Sequence, residues 1–359
     1  MADAGGSTGV AGKHVAGGSA GTAGRHGVRE SAVPSGSHVA GIGVQTKNVV
    51  EDGRPEEGFR MLRDAGFSCA DFSLNYYLTN TCLYRMERNS FFDRSDQELE
   101  AYFSPHKAGA RDSGIRIHQM HMPYPVYVPN GKKELNDYLW QVVAPKSMRL
   151  CAFFGCPYIV VHGLKLARQL GSEEAEWEWT ERFIHTIAPL AKELRITICM
   201  ENLYGNIGGH IVEGPCCDGR KAADRIDRIN DRYGAEVLGF CFDTGHANLV
   251  GIDFEDFITT LGERIKVLHI HDNDGVGDLH QIPFTFTKTR ENKASTDWEG
   301  FIRGLRAIRF DKVLSFETAP AVSTFPDELK AELLGFIAKI GGWFSREIDA
   351  GISEVKPGN

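Results

Sequence analysis

Eight short runs rich in Val, Ile, Leu and Phe recur along the chain, each followed by a longer amphipathic stretch. No other feature limits the possible folds as much. The runs fall at 39–45, 69–74, 115–121, 158–162, 196–201, 238–243, 267–271 and 313–317. Helical periodicity occupies 56–65, 97–112, 136–154, 173–194, 221–233, 254–261, 298–308 and 326–345. Strict strand–helix alternation predicts a parallel sheet with helical crossovers. Eight units in order favour an α/β fold of the closed (β/α)8 TIM-barrel type over an open doubly wound sheet. Barrels of this kind use about 250 residues or more as one domain, so we expect a single domain over 39–350. The preceding segment, 1–38, is Gly, Ala and Ser with almost no large apolar side chain, which predicts a disordered low-complexity tail.

Composition removes several function classes. Of the 359 residues, 42% are hydrophobic and 25% charged, as in soluble globular proteins, and no stretch approaches the roughly 20 apolar residues of a membrane span. A formal net charge of -8 disfavours nucleic acid as a partner. The eight cysteines are scattered without paired CxxC knots, which predicts reduced thiols in a cytoplasmic protein. Neither G-x-G-x-x-G after the first strand nor a P-loop occurs, so nothing supports a nucleotide site.

The strand ends carry the chemistry. Six successive predicted strands stop on His121, His162, Glu201, Asp243 (with His246 close behind), His269 and Glu317. In a barrel all these ends share the C-terminal rim, where barrel enzymes place their active sites. Imidazole nitrogen and carboxylate oxygen are ligands of divalent cations such as Mn, Co, Zn or Mg, and thiolates are not prominent at these ends. Each residue alone has an ordinary reading: Asp243 could simply cap a helix and "DTGH" could be a tight turn. Glu201 and Glu317, at the ends of apolar strands, must find partners or suffer desolvation. Cys69, Cys151, Cys156, Cys199, Cys241 and Trp298 read as core, and His106, His185 and His210 as exposed or structural. Insertions at 77–94 and 285–297 are placed to overhang the rim as a lid.

"HMPY", "VVHG", "MEN", "FDTGHAN", "HIHDN", Asp278-x-His280 and the last "FET" together resemble the xylose isomerase-like TIM-barrel superfamily, in its sugar phosphate isomerase/epimerase branch. That resemblance implies one divalent metal ion (Mn, Co, Mg or Zn) held by Glu201, Asp243, His269 and Glu317. It also implies Glu201 and Glu317 as an acid/base pair, and a small-molecule carbohydrate substrate contacted by His246, with His121, His162 and His280 as further substrate-binding candidates. The implied reaction is isomerisation or epimerisation of a sugar or sugar phosphate through an enediolate. Tyr124, Tyr204, Asn248, Asn75 and Tyr76 are candidates for hydroxyl binding, and Lys165 with the glycines of "NDGVGD" for a phosphate. Ketose 3-epimerases carry Arg and Glu where this chain has Gly275 and Ile207. The endonuclease IV branch offers a rival, because its nine zinc ligands find matching residue types at His121, His162, Glu201, Asp243, His246, His269, Asp278, His280 and Glu317. Polyol dehydratases and lyases use a similar scaffold, and a homo-oligomer is compatible with any of these readings.

Overall fold

The computed structural model describes residues 32–33, 36–167, 172–286 and 296–352. Eight parallel strands form the barrel: β1 Gly41–Gln45, β2 Cys69–Ser73, β3 Arg116–His121, β4 Tyr158–His162, β5 Thr197–Glu201, β6 Leu238–Asp243, β7 Ile265–His269 and β8 Val313–Phe316. They pair in the order β8-β1-β2-β3-β4-β5-β6-β7. Just past β7 the ring closes: the Ile270 amide donates to the Ser315 carbonyl at 2.9 Å and the Glu317 amide to the Ile270 carbonyl at 3.1 Å. This is the (β/α)8 barrel that the alternation predicts.

The helices start and stop where local chemistry demands it. Asp96–Asp112 opens on a capping box in which Ser95 and Glu98 satisfy each other's amides, and Gly219–Tyr233 opens on Asp218, whose carboxylate accepts from two amides of the first turn. The stretch 136–154, expected as one helix, is instead Lys133–Tyr138, a π turn Leu139–Val143 and Ala144–Phe154. Pro145 has no N–H for the carbonyl four residues back, and the wider turn absorbs that missing bond.

Other departures have equally local causes. β7 begins two residues before its expected start because Lys266 hides it: the lysine stem is buried and its ammonium meets Glu236 at 2.7 Å. A hairpin, Tyr204–Ile207 with His210–Glu213, stands after β5, turned by Gly208 and Gly209, both at positive φ. Ala32 and Val33, expected within the tail, pack on the core, and the Ala32 amide donates to the Gly66 carbonyl at 3.2 Å. The room comes from glycine, since a Cβ on Gly342 would lie 2.6 Å from the Ala32 carbonyl oxygen. Residues 1–31 and 34–35 of the expected tail, and 287–295 of the expected second insertion, lie outside the described residues.

Inside the barrel the two-residue period of the strands stacks side chains in layers. Val160, Cys199, Cys241 and Val267, one from each of β4 to β7, form a fully buried cluster of their own. Two residues further along the same strands stand His162, Glu201, Asp243 and His269. A polar layer therefore sits directly on an apolar plug.

Candidate metal centre and active site

Glu201 is the hub of the polar layer. Its Oε2 lies 3.1 Å from His162 Nε2 and 3.5 Å from His121 Nε2, while its Oε1 lies 3.2 Å from His246 Nδ1 and 3.3 Å from His269 Nδ1. His269 Nδ1 also faces Glu317 Oε2 at 3.2 Å and Asp243 Oδ2 at 3.8 Å. One ligand atom each from Glu201, Asp243, His269 and Glu317 falls within 4.8 Å of the others. So do those of His121, His162 and Glu201, and those of His246, His271, Asp278 and His280. Of these residues, His121, His162, Glu201, His246, Asp278, His280 and Glu317 line a cavity of about 400 Å³ whose wall also includes Tyr124, Lys165 and Tyr204, with Asn80 and Tyr84 contributed by the first insertion, while Asp243, His269 and His271 lie beneath it. That volume is in the range of small-molecule sites.

Main-chain carbonyls aim several of the rings. His121 Nδ1 donates to the Met122 carbonyl at 2.7 Å, His246 Nδ1 to the Asn202 carbonyl at 3.0 Å, and His280 Nδ1 to the Glu317 carbonyl at 2.9 Å. Each ring thereby turns Nε2 toward a carboxylate, Glu201 for the first and Asp278 for the other two. Asp243 caps the short helix Thr244–Val250 through the His246 amide at 2.6 Å, so the capping reading of this residue holds together with its place in the ligand cluster. Among the other singled-out residues, Tyr124 stacks on His162 with ring centroids 4.3 Å apart, and Lys165 donates to the Tyr204 carbonyl. Tyr76 is exposed, whereas Asn75 is buried and its carbonyl oxygen accepts from the Tyr124 amide. Trp298 and the five cysteines are buried, as expected. His106 is buried against Asp52 at 3.1 Å, His185 bonds the Tyr233 hydroxyl, and His210 is exposed in the hairpin.

Electrostatics follow from burial and pairing. Burial would raise the carboxyl of Glu201, but His162 and His269, with hydrogen bonds from His121 and His162, hold it well below its ordinary value. Glu317 falls to about 2, burial again being outweighed, here by His269 and His280. Burial pushes His162 down to about 4. His280 moves the other way, to about 9, because its hydrogen bond and charge interaction with Asp278 outweigh burial. Cys241 reaches Glu201 and His269 from the layer below, and burial holds its thiol well above the ordinary range, so it stays a thiol.

A pH prediction follows for the cation-free chain. A group whose folded value is raised stabilises the fold below its unfolded value, about 6.5 for His, and that contribution disappears as pH rises through the folded value. For His280 the window runs from there to about 9. Thermal unfolding in EDTA should show Tm falling across that window, and His280→Asn should flatten the slope.

Four residues that sequence reasoning did not assign complete the site. Gln45 Nε2 donates to Glu317 Oε1 at 2.6 Å. Asn202 ties β5 to β6. Asp71 faces His269. His271 Nε2 reaches both oxygens of Asp243 at 3.1 Å, and its ring stacks on His280 at 3.9 Å between centroids. The period-two alternation of "HIHD" puts His269 and His271 on one side of the strand and so marks His271 from sequence without giving it a role; the other three carry no such local signal. Gly245 makes room for that ring, since a Cβ there would lie 1.9 Å from His271 Cε1. With His280 on the ring's other side, Gly245→Ala should destabilise the fold by about 1–3 kcal/mol, the range for overpacking, as read from chemical denaturation.

The donor set fits a divalent cation. Asp278 Oδ1 is buried without a hydrogen-bond partner, Glu201 turns both oxygens to ring nitrogens, and nitrogen with carboxylate oxygen suits borderline or hard divalent ions. No described helix is long and apolar enough to cross a membrane.

Comparison with known proteins agrees with this architecture. A relative from Sinorhizobium fredii (strain NBRC 101917 / NGR234), uncharacterized protein y4fM, is 22% identical over 289 residues, 73% of this chain and 82% of its own length. A probable endonuclease 4 from Methanoculleus marisnigri (strain ATCC 35101 / DSM 1498 / JR1) is 32% identical over 189 residues, 48% of this chain and 61% of that protein. The crystal structure of D-psicose 3-epimerase in the presence of D-fructose shares the fold, with a TM-score of 0.58 at 16% identity over 86% of this chain and 99% of that one. Residues 86–340 match the family model described as xylose isomerase-like TIM barrel, and with its closed barrel and polar rim the chain belongs to that family.

Proposed function

We propose that the chain is a divalent-cation-dependent isomerase or epimerase acting on a sugar or sugar phosphate by proton transfer beside a carbonyl. The observation that carries this reading is the pairing of two ionised carboxylates, buried Glu201 and part-buried Glu317, in one ligand cluster under a small-molecule cavity. Glu201, Asp243, His269 and Glu317 would hold the cation, which when bound supplies Lewis acidity to the substrate's carbonyl oxygen. Glu201 or Glu317 takes the proton from the adjacent carbon, and the other carboxylate returns one. Return to the opposite face of the same carbon gives an epimer, and return to the neighbouring carbon gives an isomer. His121, His162, His246 and His280 present ring nitrogens to substrate hydroxyls, and Tyr124, stacked on His162, shields that wall from water. Structural likeness to a 3-epimerase supports the assignment to sugar chemistry.

A second reading has its own supporting observation. The three donor groups at the rim contain all nine residues expected of a trinuclear zinc phosphodiesterase, with His271 added, and one relative is a probable endonuclease 4. Metal analysis of the purified chain separates the two. On the sugar reading we expect about one cation per chain, and a cation at one hundred times its Kd should stabilise the fold by about 2.7 kcal/mol. About three zinc ions, with cleavage of abasic-site DNA, would favour the phosphodiesterase. Solvent deuterium entering ketoses or ketose phosphates is the direct test of proton transfer. A cation-loaded chain that exchanges no deuterium with any of that panel, while cutting abasic DNA, would overturn the sugar assignment.

A further inference from the structure

Asp71 sits in the middle of β2 with no exposed surface and with neither carboxylate oxygen in a hydrogen bond. A carboxylate in such a place is expensive unless something compensates it. Among the described residues no Lys or Arg pairs with it. Its neighbours in register, Gln45 on β1 and Gln119 on β3, use their amides elsewhere: Gln45 on Glu317 and Gln119 on the Leu268 carbonyl at 3.3 Å. What faces Asp71 is His269 from across the barrel, with Nε2 3.4 Å from Oδ2. That Nε2 is likewise buried without another partner.

His269 also differs from the other rim histidines. His121, His246 and His280 are oriented by carbonyls that accept from Nδ1, and each offers Nε2. His269 is reversed: Nδ1 faces Glu201, Glu317 and Asp243, and among the described residues no carbonyl bonds either nitrogen. An imidazole that ligates through one nitrogen needs an acceptor at the other to fix its tautomer and raise its basicity.

We propose that Asp71 is the positioning residue for His269, accepting the Nε2 proton so that the Nδ1 lone pair points into the cluster of Glu201, Asp243 and Glu317. The inference rests on reading that cluster as a cation centre. It assigns Asp71 no contact with substrate. The carboxylate keeps the ring in the ligating tautomer.

The test uses the full chain and Zn²⁺, Mn²⁺ or Co²⁺ alone, with no substrate. Titration calorimetry of the wild type, Asp71→Asn and Asp71→Leu should show both variants binding about 10–100-fold more weakly, the range for lost outer partners of metal ligands. Each variant takes one partner from the buried Asp71–His269 pair, so the cation-free Tm should fall in both. Asp71→Asn keeps an oxygen that accepts the Nε2 proton, so it should bind the cation more tightly than Asp71→Leu; equal affinity in all three proteins, or the same loss in both variants, would overturn the positioning role. Should the variants fail to fold, long-range ¹H–¹⁵N spectra of the histidine-labelled, Zn²⁺-loaded wild type decide the matter. A protonated Nε2 and an unprotonated, cation-bound Nδ1 at His269 are expected, and the opposite tautomer refutes the proposal. A wild type that binds no divalent cation instead refutes the underlying centre, and the proposal with it.

Discussion

Glu201→Gln should lower solvent deuterium exchange into the substrate by about 10²–10⁴-fold, the contribution typical of a positioned acid or base. The amide is nearly isosteric with the carboxylate, so the barrel should fold around it. What changes is charge and proton capacity. Both oxygens of Glu201 serve histidines, His121 and His162 on one side and His246 and His269 on the other. An amide can accept on one side only and presents N–H to the other, where ring nitrogens compete for the same direction. His121 titrates above its ordinary value because Glu201 beside it outweighs burial, and His269 because the carboxylates around it, Glu317, Glu201 and Asp71, do. Removing the anion returns both rings toward neutrality, so the loss is electrostatic as well as chemical. Glu317→Gln should cost a comparable factor in exchange but disturb only one side of the cluster, where Gln45 holds Oε1 and His269 faces Oε2. Exchange within tenfold of wild type in a cation-loaded Glu201→Gln protein would remove Glu201 from the proton path.

The outline of the fold was legible because barrel strands are short, apolar and evenly interrupted, and because the polar rim falls at the same phase in six of them. Convergence of the strand ends needed only the period of two and a closed ring, since Val160 to His162, Cys199 to Glu201, Cys241 to Asp243 and Val267 to His269 are each one step of that period. Residues whose meaning depends on a partner far away in sequence were not legible. Asp71 looks like a stray acid inside "CADFS", and its counterpart is His269, almost two hundred positions later. Gln45 closes a first strand and bonds the last. Gly208 and Gly209 are a turn signal the sequence reading did not take up, and a two-stranded ribbon over the rim is set by docking on the barrel mouth, where Tyr204 and Asn206 enter the cavity wall. In each case tertiary pairing supplies the information that local pattern lacks.

Asn202 offers the second large effect, and it follows from where a ladder runs out. The main-chain pairing of β5 with β6 registers Glu201 against Cys241 and goes no further. Asn202 then continues it with a side chain: its Nδ2 donates to the Asp243 carbonyl and its Oδ1 accepts from the Asp243 amide, both at 2.9 Å. The residue is fully buried. Asn202→Ala strands both main-chain groups of Asp243 in a dry place, at about 1–3 kcal/mol each, so the fold should lose about 2–6 kcal/mol by denaturant titration. The same change frees Asp243 to tilt, and with it one of the four proposed ligands, so cation affinity should fall together with stability. Asn202→Asp separates the two contributions. It keeps the acceptor for the Asp243 amide but loses the donor and sets a second carboxylate beside Asp243, so it should be destabilising through charge as well as through the single orphaned carbonyl. If Asn202→Ala unfolds at the wild-type denaturant concentration and binds cation as tightly, then the end of β6 is held by its helix cap and by His271 alone, and the side-chain bridge contributes nothing to placing Asp243.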